Sequence, residues 1–520
     1  MNDSDCFEQA ATLCCYRLFL HPLKRYPGPL LAKLSNIRNG YHAVRQDLHL
    51  VTASDHLKYG QVVRHGPNKL VFNTARALHD IYASNRVVKS HVYSVTVQSP
   101  GVFTSFNIVD QHAHRQKRKI IGQVFSDRSL RMFEPVIAEQ VETFIKLIYT
   151  SCNTDKPIPV DMAVRLEYLS CDIVSLLAFG YPLKLQTDET YRFMCKGMTT
   201  ANYYTNTRMQ FFRLHQLRLG STLHFLSNAM RERYKKLVER MIGFRMSEDR
   251  DVRHDLYSIA SKANAEAINP EDGIRMSEIW SEAVTFLPAG AFSTSTTMSA
   301  LFFYLSRHSH CYKRLVSEIR DTFEEATDIR FGPKLNSCKY LRACLDETMR
   351  MSPPIPGTMW RELQAGDSNP FIVDGHVVPP GTQVGVNTYS LHHNEQHFPD
   401  AHNFIPERWL ESESEGKGKM MRDAFAPFSI GYRDCAGKNL AYVKMSFIVA
   451  KTLWYFDFES AKGEMGMLGG GSAEHADGRG RINEYQLYDI FSARHEGPCL
   501  VFKAQADRCK DLAVEGLVFH

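Results

Sequence analysis

The chain has 520 residues, 44% of them hydrophobic, which is ordinary for a globular protein and sufficient for a large core. Its 62 basic and 57 acidic side chains leave a net charge of +5, too even a balance for a nucleic-acid-binding protein. The twelve cysteines form no CxxC pair and no regular spacing, which argues against a disulfide framework or a zinc site and favours a reducing compartment.

The N-terminal segment, residues 1–25, contains the apolar run AATLCCYRLFL, which is interrupted by Arg17. A membrane span needs about 20 apolar residues, so this run is too short to cross a bilayer. It also lacks the basic start and the cleavage site of a signal peptide. The Pro-rich stretch HPLKRYPGPL then forms a stiff connector. We expect a partial or absent membrane anchor, followed by a single domain over residues 26–520.

Short strands and then many helices are predicted next. QVVRHG and KLVFN are strand-like runs that flank a Gly-Pro turn, and ARALHDIYAS is typical of a short helix. Residues 86–110 show no clear period, and we expect a long functional loop there. A basic helix is predicted at about 112–123, and mostly helical patterns follow from 134 to 260.

The run from Ala283 to Leu305 holds no charged residue over 23 positions. Its length would allow it to span a membrane, but it includes Pro288, Gly290 and seven Ser or Thr residues. A helix that is apolar on every side can also form the centre of a large protein. We expect a buried central helix.

Charged residues with helical spacing follow in LRACLDETMRM, where Glu347 and Arg350 are three positions apart. Most such pairs are weak surface contacts, so the spacing alone has little meaning. The stretch DGHVVPPGTQVGVNTYSLHHN alternates and turns like a hairpin sheet. EYQLYDIF and PCLVFKA, near the C-terminus, are predicted as late strands.

The chain is organised around FSIGYRDCAG, the ten residues from Phe428 to Gly437. Cys435 precedes a helical pattern, so the positive end of a helix dipole would stabilise its thiolate, and a thiolate can bind heme iron. Gly431 permits a tight turn, and Gly437 permits close approach to a flat cofactor. Arg433 suits a carboxylate of that cofactor, while Phe428 would keep water from the sulfur.

This loop resembles the cysteine loop of the cytochrome P-450 family. Five further motifs occur in that family's order, and together they cover residues 16–502: the Pro-rich hinge, HxxxR, AGxxS, ExxR and PERW. The resemblance implies a mainly α fold with a small β portion (α+β). It also implies that heme b lies between the long central helix and the helix after the loop, with Cys435 as the axial iron ligand.

The resemblance implies further roles around the heme. Arg118 and Arg361 would contact heme propionates, and His114 stands where the family more often has Trp. A structural cluster would fix the cysteine loop, formed by Glu347, Arg350 and Arg408. Four regions would line the substrate site: residues 86–110, 201–215, 353–360 and 490–493. The aromatic candidates in these regions are Tyr203, Tyr204, Phe211, Phe212 and Phe491. Ile490 is an aliphatic candidate.

On the central helix, the resemblance implies that Gly290 leaves room for oxygen and that Ser293 or Thr294 relays protons. The family's acidic position is occupied by Phe292, which cannot carry a proton. Proton delivery would therefore run through Ser293, ordered water or the substrate.

The implied reaction is the oxidation of a lipophilic small molecule by O2, as in fungal microsomal enzymes of secondary metabolism. Because the chain has no nucleotide-binding glycine motif, the electrons would come from a separate NADPH-cytochrome reductase. Its docking face is expected to be basic and to include Lys117, Lys119, Lys438 and Lys444. The implied location is the cytosolic face of the endoplasmic reticulum membrane.

Three alternatives remain open from the sequence. The first is a heme–thiolate isomerase, dehydratase or reductase that does not activate O2, and Phe292 is the residue that favours it. The second is a heme protein without enzymatic activity. The third is a transmembrane protein built on residues 283–305.

Overall fold

The computed structural model describes residues 3–216, 228–265, 273–411, 417–475 and 477–514. Helices dominate it and the strands form small sheets, so the predicted mainly α fold with a small β portion is confirmed.

The first half of the chain is mostly helical. In order they are α1 (Asp3–Cys15), α2 (Leu30–Leu34), α3 (Ile37–Arg45), α4 (Leu48–Tyr59), α5 (Ala75–Tyr82), α6 (Gln111–Gly122), α7 (Asp127–Cys152), α8 (Met162–Phe179), α9 (Phe193–Gln210), α10 (Phe212–Gln216), α11 (Asn228–Met246) and α12 (Leu256–Ala265). The predicted short helix and the predicted basic helix correspond to α5 and α6, respectively.

The helices of the second half include the central helix α13 and the helix α20 that follows the cysteine loop. They are α13 (Met276–Arg307), α14 (Ser309–Thr322), α15 (Pro333–Asn336), α16 (Lys339–Met351), α17 (Thr388–His392), α18 (Arg408–Glu411), α19 (Lys417–Ala424), α20 (Lys438–Tyr455), α21 (Glu464–Met467) and α22 (Lys510–Val514).

The strands form small sheets beside the helices. They are β1 (Val62–Gly66), β2 (Lys69–Phe72), β3 (Val87–Lys89), β4 (Val160–Asp161), β5 (Arg361–Leu363), β6 (Phe371–Val373), β7 (His376–Val378), β8 (Gln383–Val386), β9 (Phe456–Ser460) and β10 (Cys499–Ala504). One sheet has the order β1-β2-β8-β5-β3, a second has β4-β10-β9, and β6 pairs with β7 as a hairpin. The register of β3 against β5 sets Lys89 opposite Arg361.

Helix α13 is the centre of the fold. Its 32 residues extend roughly 48 Å at 1.5 Å per residue, and it packs against α8, α16 and α20. Most of its residues from Glu278 to Leu305 are buried, which agrees with the uncharged run from Ala283 to Leu305, and the exposed Ala289 faces the cavity described below. Within the described residues, no helix combines the length and the apolar character that crossing a membrane requires. The prediction of a buried central helix is confirmed.

The predicted strand EYQLYDIF is wrong. In this segment the residues Glu484, Gln486 and Asp489 are buried, although each carries a polar side chain. Main-chain bonds of the segment go to three separate places instead of one ladder: Gln486 N donates to Gly469 O, Tyr488 N to Arg494 O and Asp489 N to Gln46 O. The backbone also reverses at Phe491, with φ +91°. Side-chain alternation alone could not indicate these tertiary partners.

The hairpin prediction after residue 374 is correct only in part. β6 and β7 form the hairpin, but β8 leaves it and pairs in parallel with β2. The following residues, TYSLH, form helix α17, whose N-terminus is capped by the Asn387 side chain. The predicted long loop over 86–110 likewise contains β3 and a short 3₁₀ helix, His91–Thr96.

Candidate active site

A cavity of about 1130 Å³ lies between α13 and the loop that precedes α20. Ala289, Gly290 and Ser293 of α13 line one side, and Phe428 and Cys435 of the loop line another. The volume exceeds the roughly 300–1,000 Å³ of a usual small-molecule pocket. It is therefore large enough for a flat cofactor together with a substrate.

The cysteine loop is held in a defined shape. The main-chain N–H of Cys435 donates to Phe428 O at 2.9 Å. Gly431 has φ +76°, and a Cβ at this position would lie 2.2 Å from Tyr82 O, so both conformation and space require glycine. Gly437 is the residue before α20, and its side-chain direction is open apart from Phe125 at 3.7 Å.

Cys435 is accessible although protein surrounds it, because its side chain opens onto the cavity. Burial raises the pKa of its thiol, and a hydrogen bond from Gly437 and the charges of Arg118 and Lys438 oppose that effect. In the protein without a cofactor, burial outweighs these opposing interactions, and the pKa of the Cys435 thiol is raised. The sulfur is thus presented to the cavity by a rigid loop just ahead of a helix N-terminus, as predicted from the sequence.

Arg118 has a partner in the loop itself. Its Nη1 donates to the main-chain oxygen of Asp434 at 2.8 Å, and its Nη2 donates to Asp434 Oδ1 at 2.7 Å. The side chain still lines the cavity. In this arrangement Arg118 ties α6 to the residue before Cys435.

Three buried cations, Lys89, Arg361 and Arg433, form a cluster beside the cavity, and Lys89 and Arg433 line it. Lys89 and Arg361 are opposed across two strands, and like charges in that relation are destabilising. Burial lowers the pKa of Lys89 well below its usual range, and Arg361 and Arg433 lower it further. Within the described part of the chain, none of the three forms an ion pair with a carboxylate within 4.0 Å.

Two nitrogens of this cation cluster, Arg361 Nη2 and Arg433 Nε, are buried without a hydrogen-bond partner. The other Arg433 nitrogens donate to Ile108 O at 2.7 Å and Val109 O at 3.1 Å. Buried cations and orphaned donors require an anionic partner. A cofactor with two carboxylates beside a thiolate-bound metal meets that requirement, so the residues fit heme.

His114 belongs to the same region. Burial, Arg433 and Lys89 lower the pKa of His114 to about 3, so its imidazole is neutral. Its Nδ1 is buried without a partner, and its ring meets the ring of Tyr432 edge-on with centroids 6.0 Å apart. It can therefore donate to, or accept from, one further polar group.

The hydroxyls predicted on the central helix are close together. Ser293 Oγ donates to Ala289 O at 2.6 Å, and Thr294 Oγ1 donates to Gly290 O at 2.7 Å. Both residues line the cavity. Phe292 is 6% exposed and belongs to the hydrophobic core.

Two residues of the predicted basic docking face are not on the surface. Lys117 is 4% exposed and forms an ion pair with Glu278 at 3.0 Å. Lys444 is 2% exposed, lines the cavity and donates to Gly290 O at 3.0 Å. The prediction was wrong for both because tertiary packing, not the sequence, decides which face of α6 and α20 meets solvent. Lys119 and Lys438 are exposed.

The predicted charge cluster is assembled. Arg350 binds both oxygens of Glu347 at 2.8 and 2.9 Å, and Arg408 Nε donates to Glu347 Oε1 at 3.1 Å. Trp409 Nε1 adds a fourth bond to the carboxylate at 3.0 Å. All members of the ion triad are buried. The attraction of the arginines lowers the pKa of Glu347 despite its burial.

All four regions predicted to line the substrate site contribute to the cavity wall. The contributing side chains include Val95, Phe106, Tyr204, Ile355, Met359 and Phe491. Four of the aromatic and aliphatic candidates lie elsewhere: Tyr203 donates to Val44 O, Phe211 packs near Gly40, Phe212 packs on His91, and Ile490 is buried outside the wall.

Two residues of the site were missed from the sequence. Lys89 ends a short apolar strand, so its charge resembled that of an ordinary edge residue. Glu282 is buried in α13, where its carboxylate accepts from the main-chain N–H and the hydroxyl of Ser105. Burial raises the pKa of Glu282 to about 7. This contact fixes the lining loop to the central helix, and only the spacing of Glu282 before the uncharged run could have indicated it.

Comparison with known proteins agrees with this arrangement. The family model for cytochrome P450 matches residues 27–467. Cytochrome P450 monooxygenase AKT7 of Alternaria alternata is 35% identical over 501 residues, covering 94% of each chain. Cytochrome P450 monooxygenase poxM of Penicillium oxalicum is 34% identical over 500 residues, covering 94% of this chain and 92% of the relative. The chain therefore belongs to the cytochrome P450 family, as an oxidoreductase that incorporates molecular oxygen and has heme as its cofactor.

Proposed function

We propose that this protein is a heme–thiolate monooxygenase that hydroxylates or otherwise oxidises a lipophilic small molecule in fungal secondary metabolism. The observation that carries the proposal is the shared cavity, which Cys435 borders on one side and Gly290, Ser293 and Thr294 of α13 border on the other. The fungal cytochrome P450 monooxygenases to which the chain is similar support it.

Cys435 would hold the heme iron, and the cation cluster of Lys89, Arg361 and Arg433 would hold the propionates. Bound heme supplies oxygen activation and the oxidation of a C–H bond. The protein's own part is to hold the thiolate on a rigid loop, to neutralise the two carboxylates and to exclude water. The ion triad around Glu347 would act as a structural support, because it links α16 to the chain that leads into the loop.

The cavity wall supports a lipophilic substrate. Most of the surface of the cavity is apolar, and Val95, Phe106, Ile355 and Phe491 contribute to it. Polar side chains such as Thr96, Asn202 and Thr205 also line the cavity, and they would orient the substrate.

Proton supply would depend on hydroxyl groups. Ser293 Oγ donates to Ala289 O, which leaves its lone pairs available to accept a hydrogen bond from water. Thr294 is more deeply placed, since its hydroxyl also lies 3.4 Å from Ser170 Oγ. We assign the relay to Ser293, because Phe292 has no ionisable group.

Electrons would come from a separate NADPH-dependent flavoprotein reductase, since the sequence contains no glycine-rich nucleotide motif. Lys119 and Lys438 remain candidates for its docking face, because both are exposed. We further propose association with the cytosolic face of the endoplasmic reticulum membrane, as in the microsomal enzymes that the sequence resembles.

The test uses the heme-loaded protein, a fungal reductase and a library of lipophilic metabolites. We expect the reduced protein to give the red-shifted carbon monoxide absorbance of a thiolate-ligated heme, and we expect Cys435→Ser to abolish it. Cys152→Ser is the matched control, because this cysteine is half-buried and outside the cavity wall. Product formation should consume NADPH and O2 together. Product without consumption of either would instead support the isomerase or dehydratase alternative.

A further inference from the structure

A second group of metal-ligating side chains lies outside the cavity. His393 follows α17, His402 lies in the segment before α18, and Glu484 lies in the C-terminal region before β10. One ligand atom from each residue falls within 4.8 Å of the other two. None of the three lines the active-site cavity.

The orientation of His393 is that of a metal ligand. Its Nδ1 lies 2.9 Å from the carbonyl oxygen of Tyr389, and a carbonyl can only accept, so Nδ1 carries the proton. Nε2 therefore has a free lone pair, and it is buried without any partner. The residue is 9% exposed, and burial favours the neutral ring. A carbonyl behind the ring is the usual support of a metal-binding histidine.

His402 and Glu484 complete the group. His402 Nδ1 has no hydrogen-bond partner and lies 3.7 Å from Glu484 Oε2. Ligands at about 2.0–2.1 Å from a tetrahedral zinc ion are roughly 3.3 Å apart, so a small side-chain movement would suffice. The other carboxylate oxygen of Glu484 accepts from the hydroxyl of Tyr389. Tyr389 thus supports two of the three ligands.

The main chain that carries the two histidines is already fixed. Arg350 Nη1 donates to His392 O at 2.9 Å and to Ala401 O at 2.7 Å. Each carbonyl belongs to the residue immediately before one of the histidines. A single buried guanidinium therefore holds the two backbone segments at a set separation, which lowers the entropy cost of assembling the site.

We propose that His393, His402 and Glu484 form a site for one zinc ion, which links the C-terminal segment to α17 and to the segment before α18. Two imidazole nitrogens and one carboxylate oxygen are a ligand set typical of zinc, with a water molecule as the fourth ligand. The irregular cysteine spacing argued against a zinc site built from cysteines. It did not bear on His393, His402 and Glu484, because these residues are far apart in the sequence and form no motif.

Two features of the surroundings bear on binding. The His402 side chain is 35% exposed, so it leaves a path from solvent and can turn toward a metal. The rings of His393 and His402 stack with centroids 5.0 Å apart and planes 28° from parallel, so His402 must turn. Arg481 Nη1 lies 3.3 Å from Glu484 Oε2, but this side chain is 47% exposed and can swing into solvent. Zinc would take its place on that oxygen.

The experiment uses the full-length protein, free of any affinity tag, after treatment with a chelator and dialysis against micromolar ZnCl2. Zinc per chain is measured by mass spectrometry, separately from heme iron, and melting is followed with and without zinc. We expect one tightly bound zinc ion, a higher melting temperature with zinc, and an X-ray absorption spectrum at the zinc edge with two imidazole ligands.

His402→Ala should weaken zinc binding by more than about tenfold and remove the thermal shift. Because this residue is partly exposed, the variant is expected to fold, whereas Glu484→Gln risks damage to the core. His310→Ala is the matched control: His310 lies 3.8 Å from Glu407 but is 81% exposed, and among the residues that the structure describes it belongs to no such group. Equal zinc binding by His402→Ala and the unaltered protein, or binding only at scattered surface histidines, would overturn the proposal.

Discussion

The ammonium group of Lys444 donates a hydrogen bond of 3.0 Å to the carbonyl oxygen of Gly290. The bond joins α20, the helix after the cysteine loop, to the part of α13 that borders the cavity. Gly290 O also accepts from Thr294 Oγ1. A buried cation therefore shares one helix carbonyl with the hydroxyl of Thr294, the residue that follows the proposed relay Ser293.

The stability of the protein should depend on pH through Lys444. Burial lowers the pKa of Lys444 from 10.5 to about 7, so between these values the unfolded chain binds more protons than the folded one. The contribution of Lys444 to stability therefore rises with pH across this interval. Relative to Lys444→Met, the unaltered protein should gain up to about 1.4 kcal/mol of folding free energy per pH unit.

Urea unfolding at several pH values above neutrality measures this gain. Lys119→Met is the matched control, since Lys119 is an exposed lysine, and the stability of this variant should change with pH as that of the unaltered protein does. If the stabilities of Lys444→Met and the unaltered protein change with pH in parallel, then Lys444 does not make the stability of the protein depend on pH.

The contrast between Lys444 and Glu347 explains how much could be predicted. Glu347, Arg350 and Arg408 were predicted to meet because the motifs that contain them occur in a known order, and the structure brings them together across 61 residues of chain. Lys444 occurs in a helix that is apolar on most faces. The residues around Lys444 in the sequence do not show whether its side chain lies on the surface or contacts a neighbouring helix.

The same reasoning applies to the fold. The uncharged run of α13 predicted the central helix because a helix that protein surrounds over most of its length has few positions that accept a charged side chain. The segment from Glu484 to Phe491 misled because its alternating apolar residues resemble a strand, while its polar residues are buried by bonds to distant parts of the chain. Local periodicity indicates which side chains are buried, but it does not indicate which parts of the chain they contact.

Removing the carboxylate charge of the ion triad should be costly. In Glu347→Gln, Arg350 and Arg408 would stay buried without a counter-charge, and we expect a loss of about 3–5 kcal/mol in folding free energy. Glu189→Gln is the matched control, because Glu189 and Arg192 have the same i, i+3 spacing but Glu189 is 86% exposed. That change should cost less than about 1 kcal/mol. Chemical denaturation of both variants compares them, and similar losses would contradict the structural role.

Lys89→Met should act in opposite directions on the heme-free and heme-loaded protein. Without heme, the change removes a buried amine whose charged form is disfavoured by burial and by Arg361 and Arg433, so we expect a gain of about 1 kcal/mol or more in stability. With heme, the change removes a partner of a propionate, so heme should leave roughly tenfold faster. Thermal melting of the heme-free protein and transfer of heme to an acceptor protein measure the two effects.

The control for Lys89→Met is Lys58→Met. Both lysines lie over an aromatic ring, Lys89 Nζ 3.5 Å from the centroid of Phe106 and Lys58 Nζ 5.4 Å from the centroid of Tyr59, but Lys58 is exposed. It should change neither quantity. If Lys89→Met stabilises both forms, or destabilises both, then Lys89 does not contact a heme carboxylate.

Ser293→Ala should separate oxygen consumption from product formation. The hydroxyl of Ser293 is the proposed proton relay, and a positioned proton donor contributes roughly 10²–10⁴-fold to a rate. We expect a smaller share of the NADPH electrons to appear in product and a larger share in hydrogen peroxide, with a larger solvent deuterium effect on product formation. Thr199→Ala is the matched control, because its hydroxyl likewise donates to the carbonyl four residues earlier, at 3.0 Å, but lies outside the cavity wall. Unchanged coupling and an unchanged isotope effect in Ser293→Ala would assign the relay to water or to the substrate instead.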